Sequence, residues 1–365
     1  FSQVNYPQND FISPLDIPLF LSGTFGELRS NHFHSGLDFR TQSKTGFNVY
    51  ATGDGYISRI KISTFGYGKA LYITHPNGYT SVYGHLLKTA PKIDAYLKEQ
   101  HYKEQSFEVD LILGEGVLPV KQGEIIAYSG NSGGSGGPHL HFEYRDSQTE
   151  KIINPLFFGL DAKIKDTKVP VVNEIVVYPI SDDAVVNQSQ QPISIPLSLQ
   201  KDGTYLASKV LAKGKIGIGV NTYDGSDNNY GKNGIYKMQT YLDGKPAFDI
   251  AFNTFSYDET RYINAYIDYY RYKKMNQRVQ KMYYTKKYPL SLISSSLTDG
   301  IITIPPNITS IYKVEIADFN GNKTAVTIPI ESANQEVKIP KAIKKTNYFI
   351  KSDNEYIFEK DKISV

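Results

Sequence analysis

Short alternations of apolar and polar residues run along most of the chain, interrupted by Gly, Asn and Asp, and this period of two predicts β-strands. The clearest predicted hairpin covers residues 70–85. There Ala-Leu-Tyr-Ile-Thr and Tyr-Thr-Ser-Val-Tyr flank Pro76-Asn77-Gly78, and Asn-Gly supplies the positive φ a tight turn needs. A second predicted hairpin starts at Tyr312, where Val314 and Ile316 alternate before Asp318-Phe319-Asn320-Gly321-Asn322 and a return through Ala325, Thr327 and Pro329. One stretch differs: residues 93–105, after Pro91, are rich in helix formers of mixed charge and predict a short exposed helix.

Two further alternations place polar groups above an apolar base. In Phe33-His34-Ser35-Gly36-Leu37-Asp38-Phe39 a strand would show His34, Gly36 and Asp38 on one face, with Leu37 and Phe39 near the other. In His139-Leu140-His141-Phe142-Glu143-Tyr144 both histidines share a face, while Leu140, Phe142 and Tyr144 point into a core.

The expected fold class is all-β, mainly antiparallel. Residues 1–22 read as an N-terminal extension and 23–160 as a first domain with a helical insertion at about 90–120. A polar connector, Asp161-Ala162-Lys163-Ile164-Lys165-Asp166, leads to residues 167–331, whose short strands at regular intervals predict an immunoglobulin-like β-sandwich. Residues 332–365 form a lysine-rich tail that turns strand-like at Tyr348-Phe349-Ile350 and Tyr356-Ile357-Phe358, as part of a further β module would.

Composition narrows the function. A length of 365 residues, 40% apolar and 21% charged, suits a globular protein of two or three domains. A net charge of +3 from 40 basic and 37 acidic residues argues against an electrostatic grip on nucleic acid or an anionic membrane. With no cysteine, thiol nucleophiles, thiolate metal sites and disulfides are excluded, so any metal must be held by His, Asp or Glu. No apolar run reaches the roughly 18 to 20 residues of a transmembrane span, and a start at Phe1, without Met or signal peptide, is expected of a mature or trimmed chain.

Among the seven histidines, the two matched patterns carry chemistry. A catalytic zinc takes three protein ligands and leaves its fourth position to water, a count that His34, Asp38 and His141 satisfy. His139, and His85 at the end of Ser81-Val82-Tyr83-Gly84-His85, are then free to act as general base or to hold an oxyanion. Gly133, Gly134, Gly136 and Gly137 make a loop that a substrate backbone can approach. A lone strand histidine is more often structural than a ligand, so His32, His75 and His101 are given no role. Two histidines and a carboxylate also suit non-haem Fe(II). The four-residue step from His34 to Asp38 and the extra histidine pair favour hydrolytic zinc.

These residues carry a family resemblance. His34-x-Gly36-x-Asp38, Tyr83-Gly84-His85-Leu86 and Gly137-Pro138-His139-Leu140-His141-Phe142-Glu143 look like the motifs of the lysostaphin and LytM-type zinc endopeptidases, in the same order, across about residues 23–154. The resemblance implies an antiparallel β core with an open groove, zinc on His34, Asp38 and His141, and catalytic roles for His85 and His139. It implies the peptide of peptidoglycan as substrate, with D-Ala to diaminopimelate the expected bond, and a periplasmic or secreted location. None of these five positions is substituted, unlike in degenerate members that have lost ligands and act as non-catalytic activators of cell-wall amidases. The chain departs from the family pattern between His85 and Lys121, where the insertion would form either a cleft wall or a solvated elaboration. Two other readings are a latent or non-catalytic zinc-containing adaptor that binds cell wall, and a secreted protease acting on glycine-rich proteins.

In the second domain, residues 257–288 interleave tyrosines (Tyr262, Tyr266, Tyr269, Tyr270) with cations (Arg271, Lys273, Lys274, Arg278). Packing within the sandwich or against the first domain is weighted above glycan contact. Asp224-Gly225-Ser226-Asp227-Asn228-Asn229 lacks the glycine and glutamate spacing of an EF-hand and reads as an ordinary turn.

Overall fold

Alternation over the first 160 residues becomes a mainly antiparallel sheet in the computed structural model, which describes residues 5–227, 229–284, 287–295, 298–333, 358–359 and 362–363. Its elements are β1 (Leu21–Gly23), β2 (Leu37–Arg40), β3 (Asn48–Tyr50), β4 (Gly55–Ile62), β5 (Lys69–Thr74), β6 (Tyr79–Gly84), β7 (Lys88–Thr89), α1 (Pro91–Glu104), β8 (Val109–Ile112), β9 (Pro119–Val120), β10 (Ile125–Tyr128), β11 (His139–Asp146) and β12 (Ile152–Ile153). The main sheet runs β1-β2-β11-β6-β5-β4-β8, with β3-β10-β7 as a small second sheet. The β5–β6 hairpin turns through Gly78 at φ +85°, as Asn-Gly predicts. Leu37, Phe39, Tyr83, Leu140, Phe142 and Tyr144 are fully buried beneath β2, β6 and β11. Phe11 and Leu15, from the segment before β1, enter the same core.

Helix α1 begins with Pro91, tolerated in a first turn whose N–H groups have no helical partner. It buries only Ile93 and Leu97, one turn apart. Strand β8 of the insertion extends the sheet beyond β4, so β4, β5 and β6 separate it from β11.

The second β region is a single curled sheet centred on the 17-residue strand Val210–Ser226. This strand lies parallel to Ile330–Ser332 at its start, antiparallel to Ile302–Ile304 next, and antiparallel to Val171–Pro179 along the rest. Gly214, at φ +78°, lets so long a strand bend between these partners. The short strands at regular intervals expected over residues 167–331 are interrupted at residues 257–275. Tyr257–Tyr262 is a 3-10 turn, Ile263–Tyr266 and Tyr269–Met275 are helical, and Ser256 with Glu259 forms a capping box at the start.

The two β regions join at β12, which pairs with Thr254–Phe255. Phe33 packs against Phe252, Phe255 and Tyr266 at the same junction. Contacts divide the chain into Phe1–Ala333 and Asn334–Val365. In the latter, Phe358–Glu359 pairs antiparallel with Lys362–Ile363. The strand expected at residues 348–350 lies outside the described residues, as do Tyr356 and Ile357.

Candidate metal and catalytic site

Register builds the site. His141 on β11 stands opposite Asp38 on β2 and, on its other side, opposite Gly84 at the end of β6. His85 therefore follows directly beside it. His34 precedes β2 rather than lying within a strand, and the backbone of residues 26–27 holds it: its N–H donates to the Glu27 carbonyl at 2.9 Å and its own carbonyl accepts from Gly26 at 2.8 Å.

Three atoms converge at the centre. His34 Nε2 lies 3.0 Å from Asp38 Oδ1 and 3.1 Å from His141 Nδ1, and the last two are 2.9 Å apart. The outer nitrogens assign the tautomers: His34 Nδ1 donates to the Thr24 carbonyl at 2.8 Å, and His141 Nε2 donates to Glu143 Oε1 at 2.8 Å. Both inner nitrogens then present lone pairs toward each other and toward a carboxylate. Such a triangle repels itself unless a positive charge sits among the three atoms, and mixed imidazole and carboxylate donors fit zinc. Burial alone would discharge His141, but its bonds to Asp38 and Glu143 prevail and push it up to about 9, so the positive charge the triangle needs is a proton on the inner nitrogen unless a metal ion displaces it. Burial likewise opposes charge on Asp38, yet the histidines around it hold its carboxyl well below the usual range. His34, Asp38 and His141 thus form a buried candidate metal site.

The other two sequence-predicted residues flank it. His85 donates from Nδ1 to the Ser132 carbonyl and His139 from Nδ1 to the Gly137 carbonyl, both at 2.8 Å, which leaves each Nε2 unengaged by these bonds. Their rings lie 4.7 Å apart, and His139 Nε2 is 3.5 Å from Asp38 Oδ1. Burial, reinforced by His141 and His139, pushes His85 down to about 4 and keeps it neutral at physiological pH. His85 has φ +59°, an uncommon backbone state for a non-glycine residue at a point where ring position matters. Of the remaining histidines, His75 bridges the Asp54 carbonyl and Ser81, whereas His32 and His101 make exposed local contacts, so none joins the site.

A supporting layer extends beyond the five. Fully buried Glu143 accepts from His141, from Ser35 at 2.6 Å and from Tyr67, and takes Arg145 at 2.6 Å on its other oxygen. Burial opposes its charge, but Arg145 and His141 hold it ionised. Tyr67 stacks on His141, and its hydroxyl meets that of Tyr257 at 2.6 Å. Arg145 donates to Tyr257 at 2.7 Å, so the second β region touches the layer that orients His141. Glu143 lies two residues beyond His141 on the same strand face, a signal already present in the alternation.

Gly36 is required by the close approach of β2 and β11. A Cβ there would lie 2.2 Å from the Phe142 carbonyl oxygen, a backbone atom that cannot step aside. Gly36→Ala is expected to lower the melting temperature by roughly 4 °C or more and to weaken metal retention, because the strand carrying Asp38 must shift. Scanning calorimetry with metal analysis checks this; wild-type values for both would refute it.

Three convergent donors with two imidazoles beside them on one β-sheet make a candidate metal centre with groups at hand for proton transfer. Residues 32–101, within the first β region, match the profile of Peptidase family M23. The chain is 32% identical over 123 residues to an uncharacterized metalloprotease of Haemophilus influenzae, covering 34% of this chain and 20% of that protein. It is 32% identical over 118 residues to the DD-carboxypeptidase/endopeptidase Mpg of Neisseria meningitidis serogroup B, covering 32% and 21%. To the peptidoglycan DD-endopeptidase ShyB of Vibrio cholerae serotype O1 it is 29% identical over 166 residues, covering 44% and 31%. The chain thus spans between a fifth and a third of the length of these relatives.

Proposed function

We propose that this chain is a zinc-dependent endopeptidase that hydrolyses the peptide cross-links of peptidoglycan, with the D-Ala to diaminopimelate bond as its target. The observation that carries this reading is the triangle of His34 Nε2, Asp38 Oδ1 and His141 Nδ1 beside two imidazoles held by carbonyls. When bound, zinc supplies a Lewis acid and lowers the pKa of water in its open position. His34, Asp38 and His141 hold the ion, and Glu143 with Thr24 fixes the two ring orientations. Neutral His85 accepts a proton at Nε2. His139, whose Nε2 is 3.5 Å from the Asp38 carboxylate, is the imidazole read as steadying the developing oxyanion.

The bond assignment is supported by the D,D-specific names of the relatives from Neisseria and Vibrio. A peptidoglycan substrate goes with a periplasmic or secreted protein; among the described residues no helix is long and apolar enough to cross a membrane. Residues 167–331 are read as an immunoglobulin-like accessory module, supported by a long strand that passes from one set of partners to another. Its contact through Tyr257 favours a positioning role over glycan binding.

Digestion of purified cross-linked peptidoglycan, with products identified by mass spectrometry, tests the function. Loss of cross-linked dimers and appearance of free D-Ala termini is expected with the zinc-loaded full chain. Intact dimers would leave an adaptor or a protease of glycine-rich proteins as the better reading.

A further inference from the structure

Away from the peptidase centre, three carboxylates meet where the two β regions join. Asp166 lies in the connector, Asp224 near the end of the strand Val210–Ser226, and Asp318 in the turn after Thr309–Ala317. One oxygen of each lies within 4.8 Å of the others, and Asp224 and Asp318 are buried. Among the described residues none of the three forms an ion pair. They line a cavity of about 40 Å³ together with Asn233 and Ser226.

Asn233 supplies the independent observation. It is only 4% exposed, and its Nδ2 donates to Ser226 Oγ at 3.3 Å, while its Oδ1 is buried without a hydrogen-bond partner. Asp224 Oδ1 is also buried and unpartnered. A neutral amide oxygen left unsatisfied beside clustered carboxylate oxygens costs free energy unless something positive accepts all of them.

We propose that Asp166, Asp224, Asn233 and Asp318 bind a calcium ion. The donors are all oxygen, mix charged and neutral groups and come from separated loops and strands, which suits the flexible, oxygen-rich coordination of Ca²⁺. Mg²⁺ demands tighter octahedral geometry and retains its waters, and zinc prefers nitrogen or sulfur donors. The spacing is not that of an EF-hand; the site is assembled by tertiary contact, so a motif search along Asp224-Gly225-Ser226-Asp227 does not reveal it. The electrostatics agree: burial and then the charges of Asp166 and Asp318 push Asp224 up to about 8, and burial pushes Asp166 up to about 6.

The ion would pin the junction. Gly234, next to Asn233, donates its N–H to Thr24 Oγ1 at 2.9 Å and accepts from it at 3.2 Å, and the Thr24 carbonyl is the group that orients His34.

The test is calorimetry on the zinc-loaded full chain in Chelex-treated buffer, titrated separately with CaCl2 and MgCl2. Wild type is expected to take up one Ca²⁺ in this cavity and to melt roughly 4 °C or more higher at 1 mM Ca²⁺, with no comparable response to Mg²⁺. Asp224→Asn and Asn233→Leu are each expected to lose that increment. A wild type indifferent to Ca²⁺, an equal response to Mg²⁺, or a full calcium increment in both variants would each overturn the proposal. The wild-type titration decides even if one variant fails to fold.

Discussion

His85→Ala is expected to keep one zinc per chain and to cleave cross-linked muropeptides roughly 10²- to 10⁴-fold more slowly, the range for losing a general acid or base. The imidazole stands outside the ligand triangle, with its Nδ1 committed to the Ser132 carbonyl. Removing it takes away a proton acceptor without removing a ligand. Alanine keeps the φ of +59° that His85 already adopts but loses the bond to the Ser132 carbonyl, at a cost on the order of 1 kcal/mol. Melting temperature and zinc content measured on the same preparation separate that loss from the catalytic one. Wild-type turnover would remove His85 from the chemistry, whereas loss of zinc would make it part of the metal site.

The site was legible where the chain is a regular strand. Asp38 and His141 lie on β2 and β11, and period two put each on the correct face. His34 was also found by alternation, although it sits before β2 and owes its position to bonds with residues 26–27. Glu143 shared the face of His141, but counting three zinc ligands gave no reason to look for the carboxylate that orients one of them. Tyr67, Ser35 and Tyr257 had no local signal at all. Tyr67 and Tyr257 meet across 190 residues, and only the docking of the second β region brings them together.

The second region shows a different kind of miss. Short strands at regular intervals were expected over residues 167–331, yet Ser256 and Glu259, three apart, carry a capping-box signature that favours a helical start. The local cap interrupts the strand pattern. Arg271 pairs with Glu174 at 2.9 Å and Lys281 donates to the Ala265 carbonyl at 3.0 Å, so these two cations of the segment serve packing. The acidic cluster lay beyond local reading for a similar reason, since Asp166, Asp224 and Asp318 become neighbours only after the curled sheet closes on the connector.

Asp38→Ala is expected to abolish both zinc retention and hydrolysis. Asp38 is the only anionic member of the ligand triangle, so its removal leaves two neutral imidazoles to hold a dication. It also takes from Arg29 the nearer of its two carboxylate partners, Asp38 Oδ2 at 2.9 Å, and leaves Glu27 Oε2 at 3.6 Å. Disturbing a partner that merely orients a ligand typically weakens metal binding 10- to 100-fold, so loss of the charged ligand itself should exceed about 100-fold. Dialysis against micromolar zinc followed by atomic absorption should therefore find close to one zinc per wild-type chain and almost none per Asp38→Ala chain. His141→Ala should behave alike, because it removes an inner nitrogen and leaves buried Glu143 without one of its donors. A folded Asp38→Ala protein that retains stoichiometric zinc would show that the ion is held elsewhere, and one that also cleaves cross-links at the wild-type rate would remove this triangle from the reaction.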